Sequence, residues 1–236
     1  MAEPIVALMS GGVDSSVMVW RALEQGAAVQ PLFIRQGTLW QASEEAASHR
    51  FLDALREREA SHRAALAPLL ALQLDLPPQY PSRWAIDPAA PPPDAATPDE
   101  AVDLPGKNLA LLTMGAIVAQ SIGARRIQIG VLAANPFRDA RPEFLDGFAA
   151  LYELATNHAL RIERPLAGLT KEALIAQGRG LPLELTFSCL RPVGERHCGR
   201  CNKCAERRRA FARAGVEDRT EYESAKSEER RAKGEE

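Results

Sequence analysis

Apolar and polar positions follow two rhythms along the first third of the chain. Ile5-Val6-Ala7-Leu8-Met9 is an unbroken apolar run, the pattern of a parallel strand covered on both faces. It stops at Ser10-Gly11-Gly12. Val17, Val19, Trp20 and Leu23 then supply an apolar helical face, and Gly26 stands where a helix would end. Val29 to Ile34 reads as a second strand, so the opening residues predict one βαβ unit. An Ala-, Glu- and Arg-rich helix is expected from about Ser43 to Leu70, broken near Ser61, with a third strand over Ala71 to Leu76. Further on, Leu109 to Ile122 predicts a buried helix, Ile127 to Val131 a strand, and Arg141 to Leu160 another helix. Such alternation predicts an α/β fold with a doubly wound, mainly parallel sheet.

Two stretches break the pattern. Nine of the seventeen prolines fall between Pro77 and Pro105, where apolar periodicity disappears. A long irregular insertion is expected there, either a lid or binding loop or a proline-rich spacer. The last twenty residues, 217–236, contain thirteen charged ones, which predicts a frayed or disordered tail. The expected organisation is an α/β domain over 1–185, a cysteine-bearing module over 186–216, and the tail.

With 236 residues, 46% of them hydrophobic and 25% charged, the chain suffices for one sizeable α/β domain and excludes a disulfide scaffold or a mainly disordered protein. Twenty-nine basic residues against thirty-one acidic ones give a formal charge of −2, which argues against an electrostatic nucleic-acid binder or a membrane-surface protein. No apolar run reaches the roughly 18 residues of a spanning helix, and Met1-Ala2-Glu3-Pro4 lacks the basic start of a signal peptide. A cytoplasmic protein is expected.

The chemistry begins at the first turn. Met9-Ser10-Gly11-Gly12-Val13-Asp14-Ser15-Ser16 lies between a buried strand and a helix, where backbone amides and the positive helix end favour a bound oxyanion. Hydroxyls of Ser10, Ser15 and Ser16 can add hydrogen bonds to phosphate oxygens. The Asp14 carboxylate would repel them unless it helped hold a divalent cation, Mg2+, or positioned the helix start. No Walker lysine is present, which disfavours chemistry at a γ-phosphate.

All four cysteines lie within sixteen residues, at Cys189, Cys198, Cys201 and Cys204. In a reducing compartment that clustering points to metal, with Zn2+ on four sulfurs the natural fit, an iron–sulfur cluster the alternative, and His197 either a replacement ligand, a group supporting the ligands, or a surface residue. A closed four-sulfur site is structural. Arg207, Arg208, Arg209 and Arg213 follow on an expected helix, as a solvated basic face or a phosphate or RNA contact.

The Ser10–Ser16 loop resembles the SGG-x-DS signature of the PP-loop ATP pyrophosphatase superfamily. The segment from Thr186 to Cys204, with Arg207 and Phe211, resembles the C-terminus of the 7-cyano-7-deazaguanine synthase family. Leu104-Pro105-Gly106-Lys107-Asn108 is similar to that family's V-P-G-R-N, Arg141-Pro142-Glu143-Phe144 to its C-R-P-E-F, and Leu169-Thr170-Lys171-Glu172 to its S/T-K-x-E. The resemblance runs from about Ile5 to Phe211. It implies an adenine nucleotide alpha-hydrolase-like core, a homodimer, and an AMP-forming ligase that turns 7-carboxy-7-deazaguanine and ammonia into 7-cyano-7-deazaguanine, with ATP, Mg2+ and Zn2+. Ser10, Gly11, Gly12, Asp14 and Ser15 would then hold pyrophosphate and magnesium, while Lys107 and Lys171 would neutralise the departing phosphates. Asn108, Phe137, Asp139 and Arg141 are the candidates for substrate recognition, although Asn108 could equally cap the helix after it, and Asp139 and Arg141 could form a surface ion pair.

The chain departs from the family between Gly130 and Arg141, about two residues shorter than usual, with Phe137 in place of a tyrosine and Ala140 in place of a cysteine. Ile34-Arg35-Gln36-Gly37 replaces Y-G-Q-R-H, and Lys107 replaces an arginine, which is not equivalent in bidentate contacts. A divergent paralogue that adenylates another acid, or joins a deazapurine to another acceptor, is therefore the first alternative. A zinc-stabilised nucleic-acid-binding module without catalysis is the second.

Overall fold

The computed structural model describes residues 3–223. Its strands are β1 (Ile5–Leu8), β2 (Val29–Arg35), β3 (Leu70–Gln73), β4 (Arg126–Gln128) and β5 (Arg161–Glu163). The helices are α1 (Val13–Glu24), α2 (Gln41–Arg58), α3 (Ala60–Ala65), α4 (Lys107–Ser121), α5 (Pro142–Thr156), α6 (Lys171–Gln177) and α7 (Asn202–Ala214). All strand pairs are parallel, in the order β3-β2-β1-β4-β5; Ile5 stands opposite Val29 on one side and Arg126 on the other.

The unbroken apolar run of β1 follows from this placement at the centre of the sheet. Val6 and Leu8 enter a cluster with Leu112 and Ala116 of α4 and Leu145 of α5. Ala7 and Met9 point the other way, into a cluster with Val17 of α1, Phe51 of α2, Leu174 of α6 and Phe211 of α7. Alternate side chains of a strand face opposite sides, so a strand with helices on both must be apolar throughout.

Several boundaries differ from the sequence expectation. The long second helix breaks at Glu59, whose backbone is extended, and ends before Leu66. Strand β4 stops at Gln128, short of Val131. Helix α5 ends at Asn157, in the left-handed conformation asparagine tolerates. Strand β5 was not anticipated: it has three residues with only Ile162 apolar, and Glu163 reaches across to Arg126 in a bidentate pair at 2.7 and 2.9 Å. Helix α4 is buried on one face only, because Leu109 and Ile117 remain about half exposed.

The proline-rich insertion is pinned rather than free. Tyr80, Ala85, Val102 and Leu104 form a third cluster with Trp40, Phe187, Leu190 and the four cysteines. Asn202 at the start of α7 donates from its backbone to Pro93 and from its side chain to Thr97, at 2.9 and 2.6 Å. The frayed tail does not begin at residue 217. Residues 217–223 return to the cysteine module, where Arg207 donates to Thr220 at 2.7 Å and His197 exchanges backbone hydrogen bonds with Glu221 and Glu223. Residues 224–236 lie outside the described residues.

Candidate active site

The sheet order turns at β1 and β4, and in open parallel sheets such a switch point leaves a crevice beyond the strands' carboxyl ends. A cavity of about 640 Å³ opens there. It is lined by the loop leaving β1, the segment Ile129–Leu132 after β4, the start of α4, and residues of α6 and α7.

Within the loop, the Ser15 hydroxyl is a hub. It accepts from the Ser10 amide at 3.1 Å, contacts the Ser10 hydroxyl at 3.1 Å and lies 3.2 Å from the Gly12 carbonyl that it donates to. Gly11 has φ +72°, and a Cβ there would stand 2.3 Å from the Glu44 carbonyl oxygen, so both conformation and space demand glycine. Gly12 is different: a Cβ would meet nothing closer than 3.5 Å. Gly12 lines the cavity, whereas the side-chain position of Gly11 faces α2. Ser16 is buried and outside the cavity lining.

Asp14, in the first turn of α1, is held by Lys171 of α6, with Nζ 2.8 and 2.9 Å from its two oxygens. Burial alone would lower the lysine, but the carboxylates of Asp14 and of Glu206, 3.8 Å away, hold it above its ordinary value. A lysine and an aspartate far apart in sequence thus sit together at the loop, with α1 and α7 bridged by one ammonium.

Lys107, at the first position of α4, lies across the cavity and acts on Glu44. Burial pushes the Glu44 carboxyl up to about 7, against the opposing pull of the Lys107 ammonium and a hydrogen bond from Trp40. Trp40 stacks on Trp84 of the insertion, with ring centroids 5.6 Å apart and planes 16° from parallel.

Of the residues the sequence assigned to recognition, Asn108, Phe137 and Asp139 line the cavity. Asp139 is already engaged: its two oxygens accept from the Asn108 backbone and side-chain amides at 2.9 and 3.0 Å, so it caps α4. Arg141 is exposed at the start of α5 and does not line the cavity, and no ion pair joins it to Asp139 among the described residues. Sequence reasoning missed Glu44, the two tryptophans and Asp103, all on the cavity wall. Asp103 stands directly before the Leu104–Asn108 segment, but nothing in its neighbours marked it.

Residues 4–215 match the family described as queuosine biosynthesis protein QueC. The chain belongs to the QueC family. Relatives named 7-cyano-7-deazaguanine synthase include that of Anaeromyxobacter dehalogenans, 34% identical over 235 residues, covering 94% of this chain and 96% of that protein. The Azoarcus sp. relative is also 34% identical, over 93% of this chain and 96% of its own. That of Methanothermobacter thermautotrophicus is 41% identical over 124 residues, half of this chain and 55% of its own. QueC membership implies ATP use, and no helix among the described residues is long and apolar enough to cross a membrane.

In this QueC chain the four cysteine sulfurs are buried and lie within 4.8 Å of one another. Cys204 is 3.5 Å from Cys201 and 3.9 Å from Cys198. Four sulfurs at about 2.3 Å from a central ion would be spaced close to these separations. Amides of Leu190, Arg191 and Cys198 donate to Cys201 and Cys189 at 3.2 to 3.4 Å, as suits thiolate acceptors. The donor set fits a tetrahedral metal ion. His197 is no fourth-ligand substitute: its Nε2 accepts from the Ser188 amide at 2.9 Å, its ring packs between Phe187 and Tyr222, and burial lowers it to about 3.

Helix α7 exposes Arg209 and Arg213 as a basic face would, but not Arg207. Arg207 is 2% exposed, and its guanidinium donates to Thr186, Thr220 and the Leu183 carbonyl at 2.7 to 2.9 Å. Arg208 covers the Tyr222 ring at 3.9 Å. These two arginines lock the returning chain onto the module.

Proposed function

We propose that this chain is a 7-cyano-7-deazaguanine synthase, an AMP-forming ligase that converts 7-carboxy-7-deazaguanine and ammonia to the nitrile. The observation that carries the reading is the Ser10–Ser16 loop at the sheet's switch point, inside a QueC match spanning residues 4–215. ATP would lie with its leaving pyrophosphate on the amides of Gly11 to Ser15 at the positive end of α1. Lys171 and Lys107 approach that position from α6 and α4, and they would neutralise charge as pyrophosphate departs. Asp14 is the carboxylate the loop offers to Mg2+, shared with Lys171.

The substrate carboxylate would attack the α-phosphate to give an acyl-adenylate, and ammonia would then displace AMP to form the amide. Activation of that amide oxygen by a second ATP, followed by loss of AMP and a proton, gives the nitrile. Enclosure by Trp40, Trp84 and Phe137 would limit hydrolysis of the adenylate. Zn2+ is the ion proposed for the four cysteines, in a structural role. The reading includes a homodimer and a cytoplasmic location, with a small-molecule substrate and no nucleic acid; Arg207, one of the four arginines a basic surface would need, is buried inside the module.

The test is release of AMP and pyrophosphate that depends on both 7-carboxy-7-deazaguanine and ammonium, with the nitrile identified by mass spectrometry. AMP formed only with another acid would identify the divergent paralogue instead, which the altered 132–140 segment and the outward Arg141 favour as the second reading.

A further inference from the structure

The Asp103 carboxylate lines the cavity without a cation. It forms no ion pair among the described residues, and its favourable contact is with the amide of Leu104. Burial and the nearby Asp139 carboxylate both hold its carboxyl above the usual range, so its charge is poorly compensated in the chain by itself. Its backbone, by contrast, is fixed: the Asp103 amide donates to Glu100 at 3.2 Å and its carbonyl accepts from the Ser82 hydroxyl at 2.8 Å. Buried Val102 and Leu104 flank it. Asp139 already accepts one hydrogen bond on each oxygen, both from Asn108, whereas no side chain donates to Asp103.

A rigidly held, partly desolvated carboxylate is stabilised by a ligand with two adjacent N–H donors, which satisfy both oxygens at once. Trp84 and Phe137 also line the cavity and pack in the cluster that holds Val102 and Leu104, the neighbours of Asp103, and aromatic rings suit a planar heterocycle. A 2-aminopyrimidin-4-one ring carries both features, with the lactam N3–H and the 2-amino group side by side on one edge.

We propose that Asp103 selects the heterocycle, accepting the lactam N3–H and 2-amino protons of a 2-aminopyrimidin-4-one ring while the aromatic side chains cover its face. The assignment rests on the synthase reading above and moves base recognition from the Asp139–Arg141 segment to the end of the proline-rich insertion. That insertion is then part of the substrate site.

The test compares nitrile formation from 7-carboxy-7-deazaguanine and from its analogue lacking the 2-amino group, in the natural chain and in Asp103→Asn. A site built to bind an amino group discriminates strongly against its absence, so the natural chain should favour the full substrate by about 100-fold in kcat/KM. In Asp103→Asn the preference should shrink at least about tenfold, through a raised KM for the acid, with KM for ATP unchanged. Because the replacement is isosteric and relieves repulsion from Asp139, its melting temperature should not fall. A natural chain that makes nitrile from both acids equally well, or a variant that keeps the full preference, overturns the role of Asp103 and leaves the synthase reading intact. A natural chain that makes no nitrile overturns both.

Discussion

The Phe187 amide donates to the Gly11 carbonyl at 2.7 Å, which ties the start of the cysteine module directly to the Ser10–Ser16 turn. Cys189 lies two residues further on, and Phe187 packs in the same cluster as all four cysteines. The proposed metal site and the geometry of the turn are therefore mechanically linked. Cys201→Ser is expected to release the metal, measured by elemental analysis, and to destabilise the fold by at least about 3 kcal/mol. Chelation of the natural chain should lower both melting temperature and AMP formation, and a metal-free chain that retains both would break the link.

The two loop glycines should respond differently. Gly11→Ala places a methyl group 2.3 Å from a backbone carbonyl at a positive φ, which should cost about 2–4 kcal/mol and show as a lower melting temperature. Gly12→Asp has ordinary room for its Cβ but adds a carboxylate at the proposed phosphate site. It should fold normally and lose ATP turnover. Retained turnover would mean that the phosphates lie elsewhere.

The sequence revealed the loop, the cysteine set and the parallel sheet because each is written in local spacing. Ser10 to Ser16 are consecutive, the cysteines span sixteen residues, and β1 is apolar on both faces. What it concealed depends on distant partners. Arg207 looks like part of a surface run until Thr186 and Thr220 are brought to it, and Asp139 looks available until Asn108 occupies it. Strand β5 carries too few apolar residues to announce itself; its neighbour β4 and the Arg126–Glu163 pair define it. Asp103 and Glu44 have no motif, and their significance comes from the cavity they enter.

Glu44 gives a pH signature. Its carboxyl is raised from 4.5 to about 7, so the folded state binds this proton more tightly than the unfolded state. The corresponding stability is fully present below pH 4.5 and is lost as pH rises through 7. Glu44→Gln, uncharged at every pH, should match the natural chain near pH 4.5 and exceed it by about 1–2 kcal/mol at pH 8, a discount for the open cavity included. Denaturant unfolding at the two pH values measures the difference. Equal stability gaps at both would show that this carboxyl is not desolvated.

The proposed dimer has a candidate face. Leu151 and Leu154 of α5 are 66% and 84% exposed, and Leu109 and Ile117 of neighbouring α4 add to them. Helices α4 and α5 lie on the side of the sheet opposite the module, joined by the Tyr152–Gln120 hydrogen bond at 2.7 Å. Leu154→Glu should leave the fold unaltered and, in sedimentation analysis, convert a dimer to a monomer. A dimer that survives Leu154→Glu together with Ile117→Glu would place the interface elsewhere.

Lys171 separates an electrostatic role in folding from a role in turnover. Removing its ammonium leaves Asp14 without the cation that holds both its oxygens, while Glu206 keeps Lys203 at 2.7 Å. Lys171→Met should therefore destabilise by about 2–3 kcal/mol, mostly through the orphaned Asp14. Asp14→Asn in the same chain removes the uncompensated charge and should recover much of that loss. It should not recover AMP formation, because neither the positive charge proposed for the departing pyrophosphate nor the carboxylate proposed for Mg2+ remains. Recovery of stability and turnover together would reduce Lys171 to a structural counter-ion and leave Lys107 as the cation at the phosphates.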